Sequence, residues 1–226
     1  LAALLPTESV NWQVIEGGVC APGGFKAAAF KAGLRASGTR ADCALIVAEE
    51  PATSAGCFTQ NVVAAAPVLF SKKAIASKKT ARAIIINAGQ ANAATGEKGM
   101  KDTLLSAETV AKALGLDDIN DVLVESTGVI GKRIKMDELM AAVPYLVEGL
   151  ERSPEAASAA ATAICTTDLA RKQIAVSVEL KDGRVVKIGG MGKGSGMIHP
   201  NMATMLGVVT CDAPIEVETW RNMTKR

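Results

Sequence analysis

Five glycines fall between positions 189 and 196 of this chain, in the stretch Gly189–Asp212, GGMGKGSGMIHPNMATMLGVVTCD. Glycine costs conformational entropy in helices and strands alike, so such a run implies backbone that bends sharply or that another group approaches closely. The residues after it, Met205-Leu206-Gly207-Val208-Val209, are apolar and β-branched enough for a buried strand. The segment is therefore expected to be a glycine-rich loop that delivers Thr204 to the first turn of a rigid strand. That is a suitable place for a nucleophile, and it organises the reading of the rest.

The chain has 226 residues, enough for one large domain or two small ones, and no stretch in it reads as a linker. The expectation is one α/β domain over residues 1–226 that is incomplete at its C-terminal end. A net charge of +2, with no basic block and only 3% aromatic residues, argues against a nucleic-acid surface. No apolar run approaches the roughly 20 residues of a membrane-spanning helix. Cys20, Cys43, Cys57, Cys165 and Cys211 are odd in number and scattered without a CxxC pair, and His199 is the only histidine. They read as buried free thiols of a reducing compartment rather than as a zinc site.

Strands are expected at Val14–Val19, Cys43–Ala48, Cys57–Thr59 with Val62–Val63, Pro67–Phe70, Ala83–Ile86 and Asp121–Glu125. Phe25–Leu34 fits either strand or loop. Ile174–Leu180 and Arg184–Ile188 alternate around Lys181-Asp182-Gly183, a hairpin signal. Helices are expected over Ser71–Lys79, over Thr103–Leu114 with Thr103 as N-cap, and from Asp137 as N-cap, where Pro144 should kink or restart the helix. Another starts at Ser153-Pro154-Glu155, with a cap, a first-position proline and an acidic first turn. Pro214–Arg226 looks like the opening of one more. Strands and helices mix without strict alternation, so the fold class is mixed α/β. The run Asn87–Gly96, after the most strand-like segment, is either a ligand-binding loop or a turn of residues that tolerate left-handed backbone.

The glycine loop does not fit a phosphate motif. Gly194 follows Lys193 where a P-loop needs Ser or Thr, and the Gly192/Gly194/Gly196 spacing misses the dinucleotide fingerprint. His199 reads as a structural loop residue. Thr204 offers different chemistry. A threonine hydroxyl needs an adjacent base to act near neutral pH. Cleavage of the Ala203–Thr204 bond would supply one as the new α-amine of Thr204, with a reference pKa of about 7.7–8.0. The hydroxyl could start that cleavage itself by attacking the Ala203 carbonyl, with water opening the resulting ester. The alternative is a threonine that simply opens a strand.

GMGKGSGMIHPNMATMLGVVTCDA resembles the processing-site signature of the ornithine acetyltransferase family, the bifunctional glutamate N-acetyltransferases. INAGQANAATG at Ile86–Gly96, ESTGVIGKRI at Glu125–Ile134 and TTD at Thr166–Asp168 are similar to further family segments in the same order. The wording around EGGV, NVVAAAPV and SGMIHPNMATML is most like plant and algal plastid members, which implies the chloroplast, with a bacterial cytoplasm as the alternative.

The resemblance implies a layered α/β sandwich of the kind shared with self-processing aminopeptidases. It implies self-cleavage between Ala203 and Thr204, giving an α chain of residues 1–203 and a β chain that begins at Thr204. Thr204 would take acetyl from N2-acetylornithine and pass it to glutamate. Thr127 and Gly128 would form the oxyanion hole, and Lys193 with Thr166 or Thr167 would bind substrate. No metal or resident cofactor is implied, though acetyl-CoA could serve as a substrate. The implied assembly is a heterotetramer of two α and two β chains. Family members continue well past Arg226, with a β half that supplies further substrate contacts. The rival readings are a self-processing aminopeptidase, in which water is the final acceptor, and a non-catalytic small-molecule binding module.

Overall fold

The structure is a computed structural model that describes residues 11–36, 38–194 and 204–225. It contains two four-stranded sheets. The first is built from β2 (Phe25–Phe30), β3 (Cys43–Thr53), β4 (Thr80–Gln90) and β5 (Val122–Val129), side by side in that order. The second runs β1 (Asn11–Ile15), β6 (Lys172–Glu179), β7 (Val185–Gly192), β8 (Gly207–Cys211). All pairings are antiparallel except β4 with β5, which are parallel and joined through helix α2 (Gly96–Ala113). The mixed α/β class expected from the sequence is the one observed.

Alternation along the central strands divides the interior in two. Leu45, Ala83, Ile85, Val122 and Val124 point to one face, where they meet α1 (Ala66–Ser77), α2 and α3 (Met136–Glu148). Ala44, Ile46 and Ile86 point to the other face, toward Met191 and Val208 of the second sheet. Helix α4 (Pro154–Ala163) packs into this second core, where Ala157, Ala160 and Ala161 are fully buried. Their small side chains allow the close approach that larger residues would block. Ser153 caps α4 by accepting the Ala156 N–H at 3.0 Å, as its sequence position predicts.

Several expectations are corrected. Pro67–Phe70 is not a strand but the start of α1, where proline costs nothing because the first helical N–H groups lack intrahelical partners. Cys57–Thr59 and Val62–Val63 form no strand, and of the five free cysteines Cys57 is exposed and Cys211 half-buried rather than buried. Thr103 does not cap α2. It lies buried inside a helix that starts seven residues earlier, and its hydroxyl donates back to the Gly99 carbonyl at 3.0 Å. Asp137 lies in the first turn of α3, behind Lys135 at the cap position, rather than capping it, and Pro144 sits within the helix without ending it. Gly189, Gly190 and Gly192 belong to strand β7 rather than to a loop. Gly189 is required there because a Cβ would run into the Gly18 carbonyl of the turn over Gly18–Cys20, a close approach of the kind the glycine run implied.

No helix among the described residues is long and apolar enough to cross a membrane. The last helix, α5 (Val217–Met223), is tied to the end of α1 by Arg221, whose guanidinium donates to the carbonyls of Ile75 and Lys78 at 2.6 and 3.0 Å.

Candidate active site

β5 does not end at Glu125, as the sequence suggested, but continues through Ser126, Thr127 and Gly128 alongside Asn87–Gln90 of β4. Residues two apart on a strand share a face, so Leu123, Glu125 and Thr127 all project away from the helices and toward the second sheet. Gly128 has φ +130°, and a Cβ there would drive into the Gly89 carbonyl. The position is therefore closed to any other residue without movement of β4.

The loop after Gly128 is anchored twice. Gly131 N–H donates to the Ala93 carbonyl at 2.9 Å, and Arg133 forms a two-point ion pair with Asp102, buried on α2, with its Nε at 2.8 Å from Oδ2. The Asn87–Gly96 run acts mainly as a scaffold. Asn87 Nδ2 donates to the Gln90 carbonyl, Gln90 Nε2 to the Leu34 carbonyl, and Asn92, at φ +48°, donates to Gly99 O and Thr103 Oγ1 at the start of α2. Of that run, Gly89, Ala91 and Ala93 do border the cavity described next.

A cavity of about 960 Å³ opens between the two sheets, and it is lined by Thr127, Gly128, Thr166, Thr167, Lys193 and Thr204. Every described residue that the sequence singled out thus borders one space, although 77 positions separate Thr127 from Thr204. Thr204 is half-buried, in a turn three residues before β8. Ala203 and His199 lie outside the described residues.

Lys193 leaves the end of β7 and is only 4% exposed. Its backbone N–H donates to the Leu206 carbonyl at 3.0 Å, and its ammonium donates to the carbonyls of Thr204 and Gly194 at 2.8 and 2.7 Å. Burial pulls the Lys193 pKa below the usual lysine value. Asp168 and Cys165 pull it upward, and Lys172 pushes it down further.

Asp168 joins the two loops that carry these residues. Its carboxylate accepts the Gly194 N–H at 2.7 Å, the Thr166 N–H at 3.3 Å and the Lys172 ammonium at 2.5 Å. Burial alone would raise its pKa, but the Lys172 and backbone donors outweigh that and hold it at about 2. Thr166 is half-buried and its carbonyl also accepts from Arg40 at 3.3 Å, whereas Thr167 is exposed.

Glu125, in the ESTG segment, also borders this cavity, with no motif of its own to mark it. One of its carboxyl oxygens is shut off from solvent and has no partner among the described residues. Burial pushes its pKa to about 8, so the group is largely neutral at pH 7. Strand alternation was the available signal, since a residue two before Thr127 must share its face.

Comparison with known proteins follows the same lines. Residues 26–226 match the ArgJ family. The chain is 62% identical over 224 residues to the chloroplastic arginine biosynthesis bifunctional protein ArgJ of Ostreococcus lucimarinus, covering 99% of this chain and 48% of that one. It is 58% identical over 212 residues to the protein of the same name from Physcomitrium patens, covering 94% and 40%. The chain thus spans about half or less of the length of these relatives.

Among solved structures, the ArgJ protein of Bacillus halodurans superposes with a TM-score of 0.80 at 36% identity, covering 88% of this chain and 100% of that one. The ornithine acetyltransferase of Mycobacterium tuberculosis, solved with ornithine, superposes with a TM-score of 0.75 at 39% identity, covering 87% and 100%. Sequence, fold and the segments around the cavity agree: the chain belongs to the ArgJ family.

Proposed function

We propose that this chain carries the nucleophile of a plastid acetyltransferase of arginine biosynthesis, which moves acetyl from N2-acetylornithine to glutamate. The observation that carries the reading is the single cavity bordered by Thr127, Gly128, Lys193 and Thr204. Names of the relatives support the pathway and the compartment, and the ornithine-bound neighbour supports the substrate class.

The bond-making and bond-breaking steps can be written with groups on this chain, water and the substrates. In the precursor, the Thr204 hydroxyl attacks the Ala203 carbonyl, the peptide nitrogen leaves, and water hydrolyses the ester. Residues 1–203 become an α chain, and a β chain starts at Thr204 with a free α-amine. Both solved neighbours are matched over their full length by less than nine-tenths of this chain, as shorter, separate α chains would be.

In turnover, that amine takes the Thr204 hydroxyl proton as the oxygen bonds to the acetyl carbon. The negative charge that develops on the acetyl oxygen falls to the Thr127 hydroxyl and the Gly128 N–H. Ornithine leaves with the proton, and the amine of glutamate then attacks the acetyl-threonine ester by the reverse path. Lys193 and Thr166 or Thr167 hold the amino-acid carboxylate. This route calls for no resident metal or cofactor, and acetyl-CoA is a second candidate donor. The working unit would combine the α chain with its own β chain, twice over, as a heterotetramer.

Mass spectrometry of the full-length gene product after brief exposure to N2-acetylornithine tests the reading. One acetyl group should appear on the peptide that begins at Thr204, and glutamate should discharge it faster than water does. Acetyl on another residue, or none, would reject the assignment.

A further inference from the structure

Lys193 is attached to the Thr204 segment at both ends, through its own backbone N–H to Leu206 and through its ammonium to Thr204 itself. An ammonium has three donors. Two reach the carbonyls of Thr204 and Gly194, which leaves one for a substrate carboxylate. Two carbonyl dipoles do not cancel a buried charge. The nearby anion, Asp168, is already occupied by the Lys172 ammonium and two backbone N–H groups. Of the charged and titratable groups acting on Lys193, Asp168 and Cys165 favour its cationic form and Lys172 opposes it. Asp168, Lys172 and Lys193 together leave one positive charge in excess, to which the Arg35 guanidinium bordering the same cavity adds, while the Glu125 carboxyl there is largely neutral at pH 7.

We propose that Lys193 is a positioning residue for Thr204: it fixes the threonine backbone through the carbonyl, and its charge keeps the α-amine released by cleavage in the uncharged form that can accept the hydroxyl proton. The inference rests on the proposed cleavage at Thr204. The nitrogen of Thr204 is three bonds from its carbonyl oxygen, at most about 4 Å away. The new amine would therefore lie no more than about 7 Å from the Lys193 ammonium while that contact holds. A like charge at this range in a half-buried site disfavours protonation of the amine by on the order of one pH unit. An ordinary α-amine, at about 7.7–8.0, would be largely blocked by a proton at pH 7. The two groups titrate as a pair, and the first proton to leave belongs mainly to the amine, because lysine starts from a much higher value.

This role is separable from carboxylate binding with an acyl donor that has no carboxylate. The rate at which p-nitrophenyl acetate acylates Thr204 should be measured against pH on the cleaved, full-length protein. In the wild type the rate should rise through a midpoint below about 7.5. In Lys193→Met the midpoint should move up by about one unit, with roughly a tenfold loss at pH 6.5, and Lys193→Arg should restore it. A wild-type midpoint at or above about 7.5, or an unmoved midpoint in Lys193→Met, would overturn the inference. Should Lys193→Met fail to fold or to be cut, the wild-type midpoint decides alone. An intact-mass check keeps the two levels apart: an uncut wild type rejects the proposed function itself, whereas a cut enzyme with the wrong midpoint rejects only the role of Lys193.

Discussion

The Asp168 carboxylate accepts the backbone N–H of Gly194 at 2.7 Å, and so ties the Thr166-Thr167 loop to the loop that carries Lys193. A Cβ at Gly194 would come within 2.9 Å of that same oxygen, so the glycine is what allows the contact. Asp168→Ala should loosen both loops together, raising KM for acetylornithine and lowering the melting temperature. Charge-assisted hydrogen bonds contribute roughly 1.5–3 kcal/mol each, so the loss should be plain in steady-state kinetics and calorimetry. Asp168→Asn keeps an acceptor oxygen and should recover part of it. The pH dependence has a definite sign: with its pKa held below the ordinary carboxylate value, Asp168 contributes stability above about pH 4 that disappears as pH falls toward about 2. Asp168→Asn should flatten the acid limb of the stability profile.

Glu125 should behave in the opposite way. Burial raises its pKa to about 8, so the folded state holds a proton that the unfolded chain gives up near pH 4.5. Its buried carboxyl thus costs increasing stability as pH climbs from about 4.5 to 8. Glu125→Gln removes the titration but keeps the shape. Melting temperatures of variant and wild type should be similar at pH 5 and should diverge toward pH 8, with the variant higher. A constant difference across that range would contradict the buried, neutral state of Glu125.

The two proposed oxyanion donors should fail differently when altered. Thr127→Val keeps the volume of the side chain and removes the hydroxyl, so kcat should fall by about 10²–10³ with folding and self-cleavage examined separately. Gly128→Ala should lower stability as well as rate, because its Cβ meets the Gly89 carbonyl and its φ of +130° disfavours side chains. Melting curves beside acetyl-transfer assays distinguish the two effects.

Thr166→Val and Thr167→Val should separate the paired candidates. The Thr166 backbone is held on both sides, by Asp168 and Arg40, and its side chain is half-buried, whereas Thr167 is exposed. The larger increase in KM for acetylornithine is therefore expected for Thr166→Val. A KM unchanged in both variants would mean that neither hydroxyl meets the substrate.

Some of this architecture is legible in the sequence for clear physical reasons. Cys43–Ala48 and Ala83–Ile86 are apolar on both faces because each strand lies between two cores, and a continuous apolar run is what such strands require. Ser153-Pro154 marks the start of α4 because capping is a local property. Pro67–Phe70 misled because a short apolar run fits strand or buried helix equally well, and only its tertiary contacts decide. The glycines of β7 looked unsuited to a strand because the Gly18 carbonyl that requires Gly189 is 171 positions away in the chain. The candidate site depended on family resemblance for its residue roles. Nothing local to Thr127 or Lys193 announces that they share a cavity. Asp168 lay within the TTD segment, but its link to Gly194 is a tertiary contact with no local signature.

The central claim is that Thr204 becomes an N-terminal nucleophile. The most direct measurement is the intact mass, under denaturing conditions, of the full-length gene product beside its Thr204→Ala variant. The account predicts two chains in the wild type, the second beginning at Thr204, and one uncut chain in the variant. A folded wild type that remains a single chain, or a Thr204→Ala protein that is cut as efficiently, would contradict it.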